Sequence, residues 1–145
     1  MTRALLATLL LAAACGAPMP RPIAYGAEAC AHCHMTIMEP RSAAELVSRK
    51  GRTWAFDDPV CLAAFYAEGT VPRREVASVW VNDFVTPDSL LDATRAVYLR
   101  TERVSTPMGG GIIALRPGRE ADSVRAELGG AVLDWPALVA AGGHR

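Results

Sequence analysis

The first half of the chain alternates apolar and polar positions in a pattern that predicts strand, strand, helix and strand. Residues 43–49 and 52–56 have the alternation and aromatic content of strands. Residues 57–69 open with Asp-Asp-Pro, a cap residue before a proline at the first helical position, and they end at a glycine, which is typical of a helix. Residues 76–81 are a further apolar run, so we expect a third strand there.

The second half repeats this order. Residues 96–100 and 111–115 are strand-like, and residues 117–128 open with Pro-Gly and continue as a helix. Two glycines then precede a further apolar run over residues 131–134, and Pro136 begins a short last helix. One ββαβ unit is therefore predicted to occur twice, offset by roughly 55 residues.

We expect an α+β fold in which two small ββαβ modules pack together. The first module is assigned to residues 30–82 and the second to residues 83–145, with residues 82–92 as the joint between them. Each module alone is too small to bury much apolar surface. The two modules are therefore expected to pack against each other or to share one core.

The N-terminal segment is typical of a secreted lipoprotein. Arg3 precedes an apolar run over residues 4–14, which is too short to span a bilayer but suits the hydrophobic part of a signal peptide. Small residues before Cys15 resemble a lipobox, in which this cysteine would be acylated; an ordinary cleaved signal is the alternative. Residues 1–15 are thus set apart from the fold, and the Pro-rich residues 16–29 are expected to be a spacer. We expect a periplasmic protein anchored to a membrane by its lipid.

Composition changes this picture mainly by exclusion. Hydrophobic residues make up 51% of the chain and charged residues 21%, which is ordinary for a globular protein and argues against global disorder. The 15 basic residues balance 15 acidic ones, and no basic run is longer than Arg73-Arg74. Because binding to phosphates needs a clustered basic surface, we expect no nucleic-acid partner.

Side chains that bind soft metals are concentrated between Cys30 and Met38. This segment, Cys-Ala-His-Cys-His-Met-Thr-Ile-Met, holds two thiols, two imidazoles and two thioethers. Further along the chain, Cys61 follows Phe-Asp-Asp-Pro-Val, and Met108 precedes three glycines. Soft sulfur ligands select Cu(I), so this group of side chains indicates a copper site.

The same side chains also have plainer interpretations. Cys30 and Cys33 could form a structural or redox disulfide. Cys61 lies on the apolar face of the predicted helix, where a buried and inert thiol is common. The methionines could fill gaps in a core. Once the lipid-bearing cysteine is set aside, an odd number of thiols remains, so at least one is unpaired or the thiols are metal ligands.

Two other metal centres compete with copper. Cys30-Ala-His-Cys33-His34 is a C-x-x-C-H attachment sequence for a c-type haem, with Met108 available as a distal ligand. Small c-type cytochromes are helical, however, whereas this chain is rich in strand-like segments and Pro40 interrupts any helix after His34. A closed zinc site needs a second pair of ligands at finger-like spacing, and the sequence has none. Copper is therefore favoured over both.

The ordered motifs resemble those of the NosL family, the lipoprotein accessory factors of nitrous oxide reductase. The matching elements are the lipobox at Cys15, Tyr25-Gly26, Cys30-x-x-Cys33-x-Met35, the strand at 43–47, Phe56-Asp57-Asp58 with Cys61, Asp92-Ala93, the strand at 96–99, Thr106-Pro107-Met108-Gly109 and Gly129-Gly130. Their combined order covers nearly the whole mature chain and is more specific than any single motif. The family usually has glycine at the position of His34, and this chain departs from it there.

The resemblance implies a two-module α+β fold and a periplasmic Cu(I) chaperone that helps to build the copper-sulfur centre of nitrous oxide reductase. Motif positions assign copper handling to four residues: Cys30, Cys33, Met35 and Met108. The residues themselves add three further candidates: His34, Met38 and Cys61. The expected partners are nitrous oxide reductase, its copper-site transporter machinery and the membrane that holds the anchor.

An ordinary enzyme is not expected. The phosphate-binding loop, the HExxH zinc motif, the GxSxG nucleophile motif and the dinucleotide fingerprint are all absent from the sequence. Two alternatives to the copper chaperone stay open at this point. One is an electron-transfer protein with a c-type haem on Cys30-x-x-Cys33-His34, and the other is a thiol–disulfide oxidoreductase that uses the same two cysteines.

Overall fold

A computed structural model describes residues 17–142, which fold into two antiparallel sheets with three helices. The elements are β1 Ala44–Ser48, β2 Thr53–Phe56, α1 Pro59–Glu68, β3 Val76–Asn82, β4 Leu90–Asp92, β5 Val97–Arg100, β6 Ile112–Leu115, α2 Arg119–Leu128, β7 Ala131–Leu133 and α3 Trp135–Gly142. The predicted α+β class is confirmed. Cys15 and the predicted signal segment lie outside the described residues. Within residues 17–142, no helix has the length and apolar character needed to cross a membrane.

The two sheets repeat one strand order. The first sheet runs β2-β1-β3-β4 and the second runs β6-β5-β7, so the leading strand of each ββαβ unit lies between the other two. All these neighbours pair antiparallel. The topology therefore contains the repeated unit that the sequence pattern predicts, while the module boundaries stay a prediction. The sequence pattern missed β4, because this strand has only three residues and lies in the predicted joint.

One main core joins the two halves of the chain. Phe56 and Leu62 from the first half pack in the same buried cluster as Tyr98 and Leu138 from the second. The helices α1 and α3 pack closely, since a Cβ atom on Gly142 would lie only 2.8 Å from the Ala64 amide nitrogen. Helix α1 is buried along residues 59–65 and is held from both sides. Its first turn is therefore a rigid support for any side chain that it carries.

The chain before β1 lies against the first sheet. The Arg21 amide donates to Glu45 Oε2 at 3.1 Å, and the Arg21 guanidinium donates to Thr53 Oγ1 at 2.8 Å and also pairs with Glu28. The segment predicted as a spacer, residues 16–29, is thus attached to β1 and β2 from Arg21 onward. Local pattern could not predict this, because the contact joins Arg21 to strands more than twenty residues away.

Candidate metal centre

Cys30 and Cys33 lie on a tight turn that is closed by a bridge between Ala29 and Thr36. The Cys30 amide donates to the Met35 carbonyl at 2.8 Å, and the His34 amide donates to the Cys30 carbonyl at 3.1 Å. Because these two hydrogen bonds close the turn, the thiols of Cys30 and Cys33 lie near each other.

His34 closes this turn with a φ of 64°, in the left-handed region of backbone conformation. Glycine adopts this conformation most easily, although histidine is among the side chains that also occur there. His34 therefore adopts this turn conformation without a glycine and presents an exposed imidazole.

The other half of the site is the connection between β2 and α1. Asp58 is the N-cap of α1, and its Oδ1 accepts a hydrogen bond from the Val60 amide at 2.8 Å. Pro59 follows at the first helical position, where its fixed φ favours the helix start. The Ala31 amide donates to the Ala55 carbonyl at 2.9 Å, which ties the cysteine turn to the end of β2. This places the turn directly over the first turn of α1, which carries Cys61.

Four potential ligands converge where the turn meets the helix. The ligand atoms of Cys30, Cys33, Asp57 and Cys61 all lie within 4.8 Å of one another. The Cys33 thiol donates to the Asp57 carboxylate, with Sγ at 3.4 and 3.5 Å from its two oxygens. Cys30, Cys61 and Asp57 are buried, and Cys33 is half-buried, so a bound ion would be reached from the Cys33 side.

The three thiols differ in acidity. The hydrogen bond with Cys61 lowers the pKa of Cys30 to about 6, so Cys30 is the natural thiolate of the group. The same hydrogen bond with Cys30 raises the pKa of Cys61 far above its ordinary range. Burial raises the pKa of Cys33 to about 11. Cys30 is therefore the most acidic of the three thiols and the first to lose its proton.

The loop that carries Met108, in the second half of the chain, contacts the start of α1. Its amide donates to Asp58 Oδ2 at 3.2 Å, so Asp58 joins the Met108 loop to the start of α1. The Met108 side chain is half-buried and packs against the core cluster that includes Cys30 and Cys61. The Met108 backbone is thus tied to the residue next to Asp57, although the two are 50 residues apart in sequence.

The remaining predicted side chains are more exposed. Met35 is 45% exposed and Met38 is 67% exposed, so neither is a core gap-filler. Met35 lies at the end of the cysteine turn, where its carbonyl accepts from Cys30. His34 is also exposed. The structure therefore groups Cys30, Cys33 and Cys61, packs Met108 against the core cluster that contains Cys30 and Cys61, and leaves Met35, Met38 and His34 on the surface.

Sequence reasoning did not name Asp57 as a potential ligand, and it listed Cys61 only as a further candidate. Cys61 is buried, as its helical position predicts, but its thiol belongs to the cluster. A signal was available, because residues four apart lie on the same face of a helix and Asp57 is four residues before Cys61. Asp57 lies just before the helix, however, and the sequence alone did not show that its carboxylate faces the cysteines.

The donor set limits which metals the site can hold. Three thiols suit Cu(I), which binds soft sulfur ligands. Three thiolates and one carboxylate also suit tetrahedral zinc, and the fold supplies the extra ligands that the sequence spacing did not reveal. A haem fits poorly, because the thioether bond to Cys30 requires an accessible thiol and this residue is 1% exposed. The cysteine segment is also a turn with no helix to pack on a haem edge.

Fold and site together define a small α+β protein with a thiol-rich cluster, able to hold a metal ion, between a tight turn and a helix N-terminus. The sequence profile of the NosL family matches residues 23–140, and the chain belongs to the NosL family. The resemblance predicted from the motifs is thereby confirmed.

The fold is similar to that of a solved structure. This is the crystal structure of the copper chaperone NosL from Shewanella denitrificans, with a TM-score of 0.69 and 19% sequence identity. The match covers 82% of this chain and 95% of that chain. No curated protein sequence matches the chain.

Proposed function

We propose that this protein is a periplasmic Cu(I) chaperone, anchored by a lipid on Cys15, that supplies copper for the copper-sulfur centre of nitrous oxide reductase. The observation that carries the proposal is the convergence of three thiols and Asp57 within 4.8 Å. Membership of the NosL family and the shared fold with a protein named as a copper chaperone support it.

The arrangement of the ligands suits an ion that must be held and then released. Cys30 and Cys61 are buried and would retain the metal, while Cys33 is accessible enough for a partner's ligand to attack first. The Met108 thioether binds Cu(I) without losing a proton and is easily displaced. Stepwise ligand exchange from the Cys33 side therefore transfers the ion without releasing it to water.

The proposed location and partners have separate support. The short apolar segment and the lipobox before Cys15 support export and acylation. The family's motif order supports nitrous oxide reductase and its transporter machinery as partners. Copper is cargo in this proposal, so the protein binds and transfers it without catalysing a reaction.

Delivery is tested in cells that make nitrous oxide reductase but lack this protein. Restoring the wild-type chain should restore copper per reductase subunit without changing reductase abundance, because a chaperone supplies metal and does not direct folding. Cys30→Ser combined with Cys33→Ser should fail to restore copper. Met19→Leu is the matched control, because it removes an exposed sulfur from the N-terminal segment outside the cluster.

Two outcomes would overturn the proposal. Full copper loading of the reductase by the double cysteine variant would show that these thiols are not the carriers. A Soret band in the purified periplasmic protein would show that the C-x-x-C-H sequence carries haem.

A further inference from the structure

Five basic side chains from two distant turns gather at one end of the first sheet. We name this group the basic patch, and its members are Arg49, Lys50, Arg52, Arg73 and Arg74. The Arg49 amide donates to the Glu75 carbonyl at 2.8 Å, and Arg49 Nε donates to the Arg74 carbonyl at 2.8 Å. These bonds hold the β1–β2 turn beside the turn that precedes β3.

The basic patch concentrates charge on a chain that is neutral overall. It holds five of the 15 basic residues of a protein whose formal net charge is +0, and all five are exposed. Among the described residues, the ion pair made by a member of the patch is the one between Arg74 and Glu75, at 4.0 Å and on exposed side chains. The patch therefore keeps a positive excess that faces solvent.

Two arginines of the patch are held in place by aromatic rings. The Arg52 guanidinium lies 4.6 Å from the centre of the Trp54 ring, and that of Arg73 lies 4.6 Å from the centre of the Tyr66 ring. Stacking of this kind restricts the side chains and leaves guanidinium N–H groups free for an anion. The patch is thus partly organised before any partner arrives.

The N-terminal segment runs beside this patch. Arg21 Nε donates to Thr53 Oγ1 at 2.8 Å, and Thr53 directly follows Arg52. Six residue steps separate Cys15 from Arg21, a reach of about 20 Å even when fully extended. A lipid on Cys15 would therefore keep the basic patch close to the bilayer surface.

We propose that the basic patch docks onto the anionic phospholipid headgroups of the membrane that holds the protein. This inference rests on the proposed lipid anchor and adds an electrostatic contact to it. Each Lys or Arg near an anionic membrane surface strengthens binding roughly fivefold, so five of them fix the orientation of a protein that is already tethered.

Docking would also determine which way the metal centre faces relative to the membrane. Thr53 begins β2 beside the patch, and Asp57 follows the other end of this strand, about 13 Å further along. The basic patch and the metal centre are therefore at opposite ends of β2. Contact of the patch with the bilayer turns the metal centre away from the lipid and toward soluble partners.

The experiment uses the mature lipidated chain on vesicles of phosphatidylcholine, with and without phosphatidylglycerol. Amide hydrogen exchange is measured over residues 49–52 and 73–75. We expect exchange there to slow at least about fivefold on the anionic vesicles only, and to recover in about 0.5 M salt. Lys50→Glu with Arg74→Glu should abolish the slowing, and it keeps the Arg49 bond that joins the two turns. The matched control, Arg119→Glu with Arg125→Glu on α2, reverses two exposed charges outside the patch and should keep it.

The outcomes separate the docking proposal from the anchor. Equal exchange on both vesicles, with the protein bound to both, overturns docking and leaves the anchor in place. Failure to bind neutral vesicles overturns the anchor itself. Slowing that appears only when purified nitrous oxide reductase is added shows an acidic protein as the partner of the patch and overturns docking to lipid.

Discussion

At the scale of single residues, His34 adopts a backbone conformation that suits glycine better. Backbone strain at a non-glycine residue with a φ of 64° lowers the free energy of unfolding by about 1 to 2 kcal/mol. Glycine avoids this strain, but its greater freedom in the unfolded chain offsets part of the gain. His34→Gly should therefore stabilise the protein by about 0.5 to 1 kcal/mol in urea unfolding. Because the imidazole is exposed outside the thiol cluster, Cu(I) affinity should not change. A clear loss of affinity would show that His34 is a copper ligand.

Glu45 gives the protein a pH-dependent stability. This carboxyl is 1% exposed, and burial raises its pKa from 4.5 to about 7. Since the folded state holds the proton more tightly than the unfolded state, the stabilisation is complete below pH 4.5 and is lost as the pH rises to about 7. Ionisation of Glu45 lowers the free energy of unfolding by at most about 3 kcal/mol.

Glu45→Gln tests this contribution, because the amide stays neutral at every pH. The variant should be more stable than wild type at pH 8, and the difference should shrink toward pH 4.5. Unfolding in urea at a series of pH values measures it. The control Glu75→Gln changes an exposed carboxyl and should follow the wild-type curve. An unchanged pH dependence in Glu45→Gln would contradict the assignment.

At the scale of elements, Asp58 holds two pieces of the site together. One oxygen caps α1 through Val60, and the other accepts from Met108. Asp58→Asn keeps an oxygen for the cap but offers an N–H group where Met108 needs an acceptor. The helix should therefore survive while the Met108 loop is released.

The expected result is a loss of Cu(I) affinity of about tenfold in Asp58→Asn, similar to that in Met108→Ala. The double variant should lose little more, because both changes remove the same thioether from the site. Asp58→Ala, by contrast, should also destabilise the fold by about 1 to 2 kcal/mol through the lost cap. Additive losses in the double variant would mean that Asp58 does not act through Met108.

The sequence could predict the elements because their signals are local. The Asp-Asp-Pro start of α1 and the glycine that ends it are visible within a dozen residues, and both agree with the structure. The role of Asp57 could not be predicted, because either of two adjacent aspartates could cap the helix. The fold decides that Asp58 caps it and that Asp57 faces Cys33. The basic patch was missed for the same reason, since its two short basic runs meet only after β1 pairs with β3.

At the scale of the whole molecule, the shared core predicts that both halves unfold together. Trp135 is buried, with its ring 5.3 Å from that of Tyr66 and 6.5 Å from that of Tyr98. Trp135→Ala should cost about 3 to 5 kcal/mol. Hydrogen exchange should show both sheets opening at the same reduced free energy. Val132→Ala, on an exposed strand position, should cost about 0.5 kcal/mol or less. Selective opening of the second sheet would show two independent cores.

The most direct test of the central claim is a competition titration with a strong Cu(I) chelator under reducing conditions. Wild-type protein should bind about one Cu(I) per chain. A parallel titration with excess zinc shows whether the site prefers Cu(I), the softer of the two ions. Replacing Cys30, Cys33 and Cys61 by serine should abolish binding at the chelator's limit, while Met38→Leu should bind as wild type does. Wild-type affinity in the triple serine variant would contradict the account, because it would place copper outside the cluster formed by the cysteine turn and α1.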